Sequence, residues 1–112
     1  MKRLGGMAGL AALLATLPAT GAQADPPTIK VQIRDHRFSP AEIHVKANVP
    51  TVLEVTNADN LPEEFDSPDL KVEKVIAGGQ TGLVRLRPLK PGRYAFSGEY
   101  HAATAQGVVV SE

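Results

Sequence analysis

The sequence predicts an all-β domain, a Greek-key β-sandwich of seven to eight short strands, and three observations point to it. Apolar and polar residues alternate along several segments, the pattern of strands with one buried face. Clusters of turn residues divide those segments at regular spacing. No segment carries the periodicity of a helix two turns long. An immunoglobulin-like sandwich would share these features at this level.

The elements follow in order. After an extended lead-in at Asp25-Pro-Pro27, Ile29, Val31 and Ile33 alternate with Lys30, Gln32 and Arg34, which gives strand one. Residues 38–45 turn at Pro40 and resume alternation with Ile43 and Val45 inward. Val52, Leu53 and Val55 follow a turn around Asn48 and Pro50, where Asn tolerates the left-handed conformation. The stretch 57–62 is too dense in turn residues to be a strand. Residues 63–66 and 71–76 are short enough for two edge strands, kept apart by Pro68. Residues 83–87 alternate again, 90–93 form a Pro-Gly turn, and 94–97 and 108–111 supply the last strands. Tyr94 and Phe96 are expected to fill the core, with Tyr100 near the rim of the loop that follows. Glu73 and Lys74 are expected to form an exposed ion pair on one strand face, with Glu73 reaching toward the loop after residue 97 as the alternative.

Residues 1–24 are read as a signal peptide. Lys2 and Arg3 form a basic start, residues 4–17 an apolar stretch, and Ala22-Gln-Ala24 a small-residue cleavage site. The expected mature chain is one domain, residues 25–112, exported to the periplasm and not inserted in a membrane, because no other segment approaches the ~20 apolar residues of a span. The chain has no Cys, and its two Met residues, Met1 and Met7, both fall before the expected cleavage point. No disulfide therefore staples the domain. Without Lys2 and Arg3 the charge balance is ten basic against twelve acidic residues. With no basic cluster, nucleic-acid and anionic-membrane partners are not expected. No Ser sits in a nucleophile elbow and no Gly-rich phosphate loop opens a helix, which removes hydrolase and transferase classes.

Three stretches resemble cupredoxins in sequence order: Phe38-Ser-Pro-x-x-Ile43, the strand ending in Asn57, and Lys90-Pro-Gly-x-Tyr-x-Phe96. The series Gly98, His101, Gln106, Gly107 is similar to the blue-copper ligand loop, with Gly98 where the thiolate stands in that family. The resemblance also places the first imidazole ligand after the Asn-ended strand, where this chain has Pro62 followed by Glu63. The stretches 62–67, 70–75, 88–92, 98–101 and 104–107 resemble a narrower group, the cysteine-less cupredoxin-like periplasmic subunits found with bacterial high-affinity ferrous-iron permeases. The chain departs from that group at Ser97, where a larger aromatic is common.

The resemblance implies a metal centre built from Glu63 or Glu64 on one loop and His101 on the other, with Glu99 and Gln106 as further candidates. Strand alternation puts Glu63 on the same face as Phe65, over the core, and turns Glu64 away, unless a bulge swaps them. Glu63 therefore ranks first. Such an oxygen-rich set with one imidazole suits iron, Mn(II) or Cu(II) and disfavours Cu(I). His36, in a turn, and His44, on an outward strand position, are expected to face solvent and are left outside the site. The implied role is to bind copper or iron and assist ferrous-iron oxidation or handover, beside a periplasmic iron-binding protein and an inner-membrane iron permease. A metal-free docking module and a periplasmic Cu(II) carrier are the competing readings, and any enzymatic role would be metal oxidation.

Overall fold

The computed structural model describes residues 25–112; the signal peptide expected over residues 1–24 lies outside the described residues. The first hairpin, β1 (Thr28–Arg34) and β2 (Arg37–Ser39), is followed by β3 (Glu42–Val45), β4 (Thr51–Asn57), β5 (Glu63–Ser67) and β6 (Val72–Ile76). β7 (Thr81–Leu86), β8 (Gly92–Gly98) and β9 (Gln106–Ser111) complete nine strands among the described residues, one or two more than expected. The surplus arises around Pro40, which has no N–H to give a ladder. The chain changes sheets there: β2 pairs with β1, and β3 pairs with β9. A single 3₁₀ turn, Glu99–His101, leaves β8.

The strands form a sheet ordered β2-β1-β4-β7 and a second ordered β3-β9-β8-β5-β6. Two pairings are parallel. β1 runs beside β4 from Thr28↔Val52 to Ile33↔Asn57, and β3 beside β9 from Glu42↔Val108 to Val45↔Ser111. β6 lies at an edge, as expected, but β5 does not. It is interior, holding β6 through five residue pairs and β8 through Phe65↔Gly98 and Asp66↔Ser97. Its length misled: five residues suit an edge strand, yet both sides of this one are occupied.

Alternation puts the expected residues inside. Val31, Ile33, Leu53, Val55 and Val84 from the first sheet meet Ile43, Phe65, Ile76, Phe96 and Val109 from the second. Phe38, Phe65 and Phe96 form a contiguous aromatic group, with Phe65 and Phe96 stacked at 4.7 Å and Phe38 edge-on to both at 5.8 and 4.9 Å. Ring contacts of this kind add to simple area burial. Phe96 lies over Gly107, its partner across the β8–β9 ladder, where an added Cβ would fall 2.3 Å from Phe96 Cζ. Tyr94 is only partly buried and donates its hydroxyl to the Lys90 carbonyl at 2.7 Å. Asn48 takes the expected left-handed conformation, at φ 63°. Glu73 and Lys74 are both exposed and make no ion pair with each other among the described residues. Neighbouring strand residues point to opposite faces, so the expected pair cannot form.

Candidate metal centre

Asn57 sets the height at which β5 begins. Fully buried at the end of β4, it donates its side-chain amide to the carbonyls of Leu61 at 2.8 Å and Ile76 at 3.1 Å, and accepts the Asp59 N–H at 3.0 Å. These bonds tie down the turn-rich stretch 58–62 and deliver Glu63 to the first position of β5. Glu63 is 1% exposed and shares the inward face with Phe65, while Glu64 points away.

The 3₁₀ turn after Gly98 closes over this carboxylate. Glu63 Oε1 accepts the N–H of Tyr100 at 2.9 Å and of Glu64 at 3.0 Å. Glu63 Oε2 lies 2.7 Å from His101 Nδ1. A carboxylate out of water needs such partners, since leaving it unpaired would be costly. The loop is fixed in turn: Gly98 N–H donates to the Ala105 carbonyl at 2.8 Å, and Ala105 N–H donates to the His101 carbonyl at 2.9 Å. Tyr100 itself is half exposed at the rim.

His36 corrects the expectation that it lies in solvent apart from the site. Its ring stacks on His101 with centroids 3.6 Å apart and planes at 11°. Asp35 and His36 are the two central residues of the β1–β2 hairpin, at φ 52° and 57°, as a two-residue primed turn requires. The turn is held from a distance. Asp59 accepts the N–H groups of Asp35 at 2.8 Å and His36 at 3.0 Å, and Thr104 donates its hydroxyl to the His36 carbonyl at 2.7 Å. The His36 N–H, and after it the Asp35 N–H, hold the Asp59 carboxyl below its ordinary pKa. An open depression lined by Asp35, His36, Asp59, Asn60 and Leu61 borders the stack. No local sequence pattern signals His36; an Asp-His pair between two alternating segments was the one available hint of a hairpin.

The five residues expected as ligands separate. One donor atom from each of His36, Glu63 and His101 lies within 4.8 Å of the others. Glu64 and Glu99 belong with Asp66 to a different, outward group. The hydrogen bond with Glu99, and then partial burial, push the Glu64 carboxyl above its ordinary pKa. Gln106 donates its side-chain amide to the Ala102 carbonyl at 2.8 Å, bracing the loop. His44 faces solvent as expected, between Glu42 and Glu112.

By donor type, one carboxylate and two imidazoles suit an ion that accepts oxygen and nitrogen, such as Fe(II), Fe(III), Mn(II) or Cu(II). They do not fit a thiolate-bound copper, because the chain has no Cys.

Comparison with known proteins agrees with the architecture. An uncharacterised protein of Rickettsia prowazekii (strain Madrid E) is 39% identical over 82 residues, covering 73% of this chain and 66% of the relative, so the chain spans just under two thirds of that protein's length. Among solved structures, auracyanin A, a "blue" copper protein from Chloroflexus aurantiacus, aligns with a TM-score of 0.67 at 15% identity over 79% of this chain and all of its own. The metal binding domain of the Streptococcus pneumoniae D39 Cu(I)-exporting P-type ATPase CopA, solved with Cu(I), gives 0.64 at 18% identity, covering 76% of this chain and 84% of that one. A mutant amicyanin in its Cu(I) form gives 0.62 at 23% identity, covering 80% and 86%. At these identities the structures establish the fold alone. The family profile described as "Cupredoxin-like domain" matches residues 7–111, and the chain therefore belongs to the cupredoxin-like domain family.

Proposed function

We propose that this is a periplasmic metal-binding protein that holds copper or iron at Glu63 and His101, with His36 as a third donor, and assists ferrous-iron oxidation or handover to an inner-membrane iron permease. The observation that carries the metal reading is the buried Glu63 carboxylate 2.7 Å from His101 Nδ1, with a second imidazole stacked against the first. Copper proteins among the structural neighbours support a metal-binding ancestry. The oxygen and imidazole donor set favours Fe, Mn(II) or Cu(II) over the Cu(I) named for two of them. The iron-uptake role rests on the sequence resemblance at 62–67, 70–75, 88–92, 98–101 and 104–107, and a periplasmic iron-binding protein is the partner it implies. A bound ion would supply Lewis acidity or a redox couple. Within the protein, Glu63 orients His101 through Nδ1, and the two backbone N–H groups fix Glu63.

The deciding experiment is anaerobic titration of residues 25–112 with Cu(II), Fe(II) and Mn(II), followed by calorimetry and spin resonance, on wild type and the Glu63→Ala/His101→Ala double variant. Stoichiometric binding lost in the variant is expected; absence of binding by wild type would redirect the reading to metal-free docking. Tight Cu(II) binding without Fe(II) binding would favour the Cu(II) carrier. In cells, wild-type iron uptake by the double variant would exclude the iron role.

A further inference from the structure

We infer that Gly98 is a positioning residue of the metal centre, whose missing side chain leaves the space in which the Glu63 carboxylate meets His101. The inference rests on the metal-binding reading above and adds to it what decides the class of ion. The backbone does not call for glycine here: Gly98 sits at φ −91° and ψ 105°, extended geometry open to any residue. Space does call for it. A Cβ at this position would lie 2.6 Å from Glu63 Cδ, 2.9 Å from Glu63 Oε2 and 2.7 Å from Ala105 Cβ.

Neither wall is free to retreat. Glu63 is tied at Oε1 by two backbone N–H groups and at Oε2 by the His101 ring. Ala105 is fully buried and bonded through its backbone to both Gly98 and His101. The side chains of residues 63 and 98 therefore share one volume, which holds either a carboxylate reaching from β5 or a side chain reaching from β8. A thiolate at position 98 and the carboxylate of Glu63 exclude one another. The empty side-chain position at 98 thus selects an oxygen and imidazole shell over a soft sulfur shell. Gly98 touches no ion; it acts through Glu63.

The test compares Gly98→Ala, Gly98→Ala/Ala105→Gly, Glu63→Ala and Glu63→Ala/Gly98→Ala. The Ala105→Gly change removes the second wall, so the carboxylate alone is left to clash and the variant has room to fold. Titrated with Cu(II) and Fe(II), both Gly98 variants are expected to lose about tenfold to hundredfold in affinity, the usual effect of disturbing a residue that orients a ligand. Glu63→Ala is expected to lose as much, and adding Gly98→Ala to it should cost nothing more. A Gly98→Ala/Ala105→Gly protein that binds as tightly as wild type overturns the inference, as does a Gly98 effect that persists in full without Glu63. The metal-free readout is the hydrogen-bonded His101 Nδ1 proton in NMR spectra, expected in wild type and lost in Gly98→Ala/Ala105→Gly. If wild type binds neither ion, the metal reading fails, and this proton still decides whether Gly98 positions Glu63.

Discussion

Among the described residues no Lys or Arg pairs with the Glu63 carboxylate, and its one ion-pair partner there is the His101 ring. Hydrogen bonds to a charged acceptor are each worth about 1.5–3 kcal/mol. Glu63→Gln keeps the volume and loses the charge, and is expected to destabilise the metal-free protein by about that amount, read from urea unfolding, while weakening metal binding by no more than the roughly tenfold to hundredfold expected of Glu63→Ala. Unchanged stability would mean that the carboxylate does not hold the 3₁₀ turn. The inward face of Glu63 was legible because strand alternation is a local rule, and Phe65 marked the buried parity two residues on. His36 was not legible. Alternation ends where both turn residues take positive φ, and the groups that fix His36, Asp59 and Thr104, lie 23 and 68 positions away.

At the level of elements, β3 and β9 are fastened at one end by an exposed polar group. His44 on β3 takes the Glu112 carboxylate at 2.8 Å on Nδ1 and the Glu42 carboxylate at 2.9 Å on Nε2, and Arg93 from β8 lies 3.6 Å from Glu42. The Glu112 bond first, then the Glu42 bond, raise the His44 pKa above its ordinary 6.5. A group whose folded pKa is raised stabilises fully below its unfolded pKa and loses that contribution as pH rises through the folded value. The melting temperature of wild type is therefore expected to exceed that of His44→Gln just below pH 6.5 and to converge with it at alkaline pH. Added salt should shrink the gap, because the group is in solvent. Equal melting temperatures just below pH 6.5 would refute the clasp. Strand existence was legible throughout, whereas the interior place of β5 was not, since alternation reports which face is buried and not how many neighbours a strand has.

On the scale of the whole molecule, the layered class was readable from alternation and turns, but the parallel β1–β4 and β3–β9 pairings were not, because pairing partners lie far apart in sequence. The two sheets meet at Phe38, Phe65 and Phe96. Truncating a buried Phe costs about 3–5 kcal/mol, against a total of about 5–15 kcal/mol for an ordinary domain. Phe65→Ala is expected to remove a large share of the stability and to loosen the centre two residues away, seen as a lowered urea midpoint and weaker metal binding together. Loss of one without the other would separate core from site. The centre also spans the sheets, with His36 on the turn of one and Glu63 and His101 on the other. Imidazole lone pairs lie in the ring plane, so two rings 3.6 Å apart and 11° from parallel hold their lone pairs in near-parallel planes that do not converge on one point. For His36 and His101 both to donate to one ion, one of the two rings would have to turn out of the stack. Rapid mixing is therefore the place to look for His36: its replacement by Ala should quicken ion exchange, and the lifetime of the loaded state would be set by how fast one ring swings.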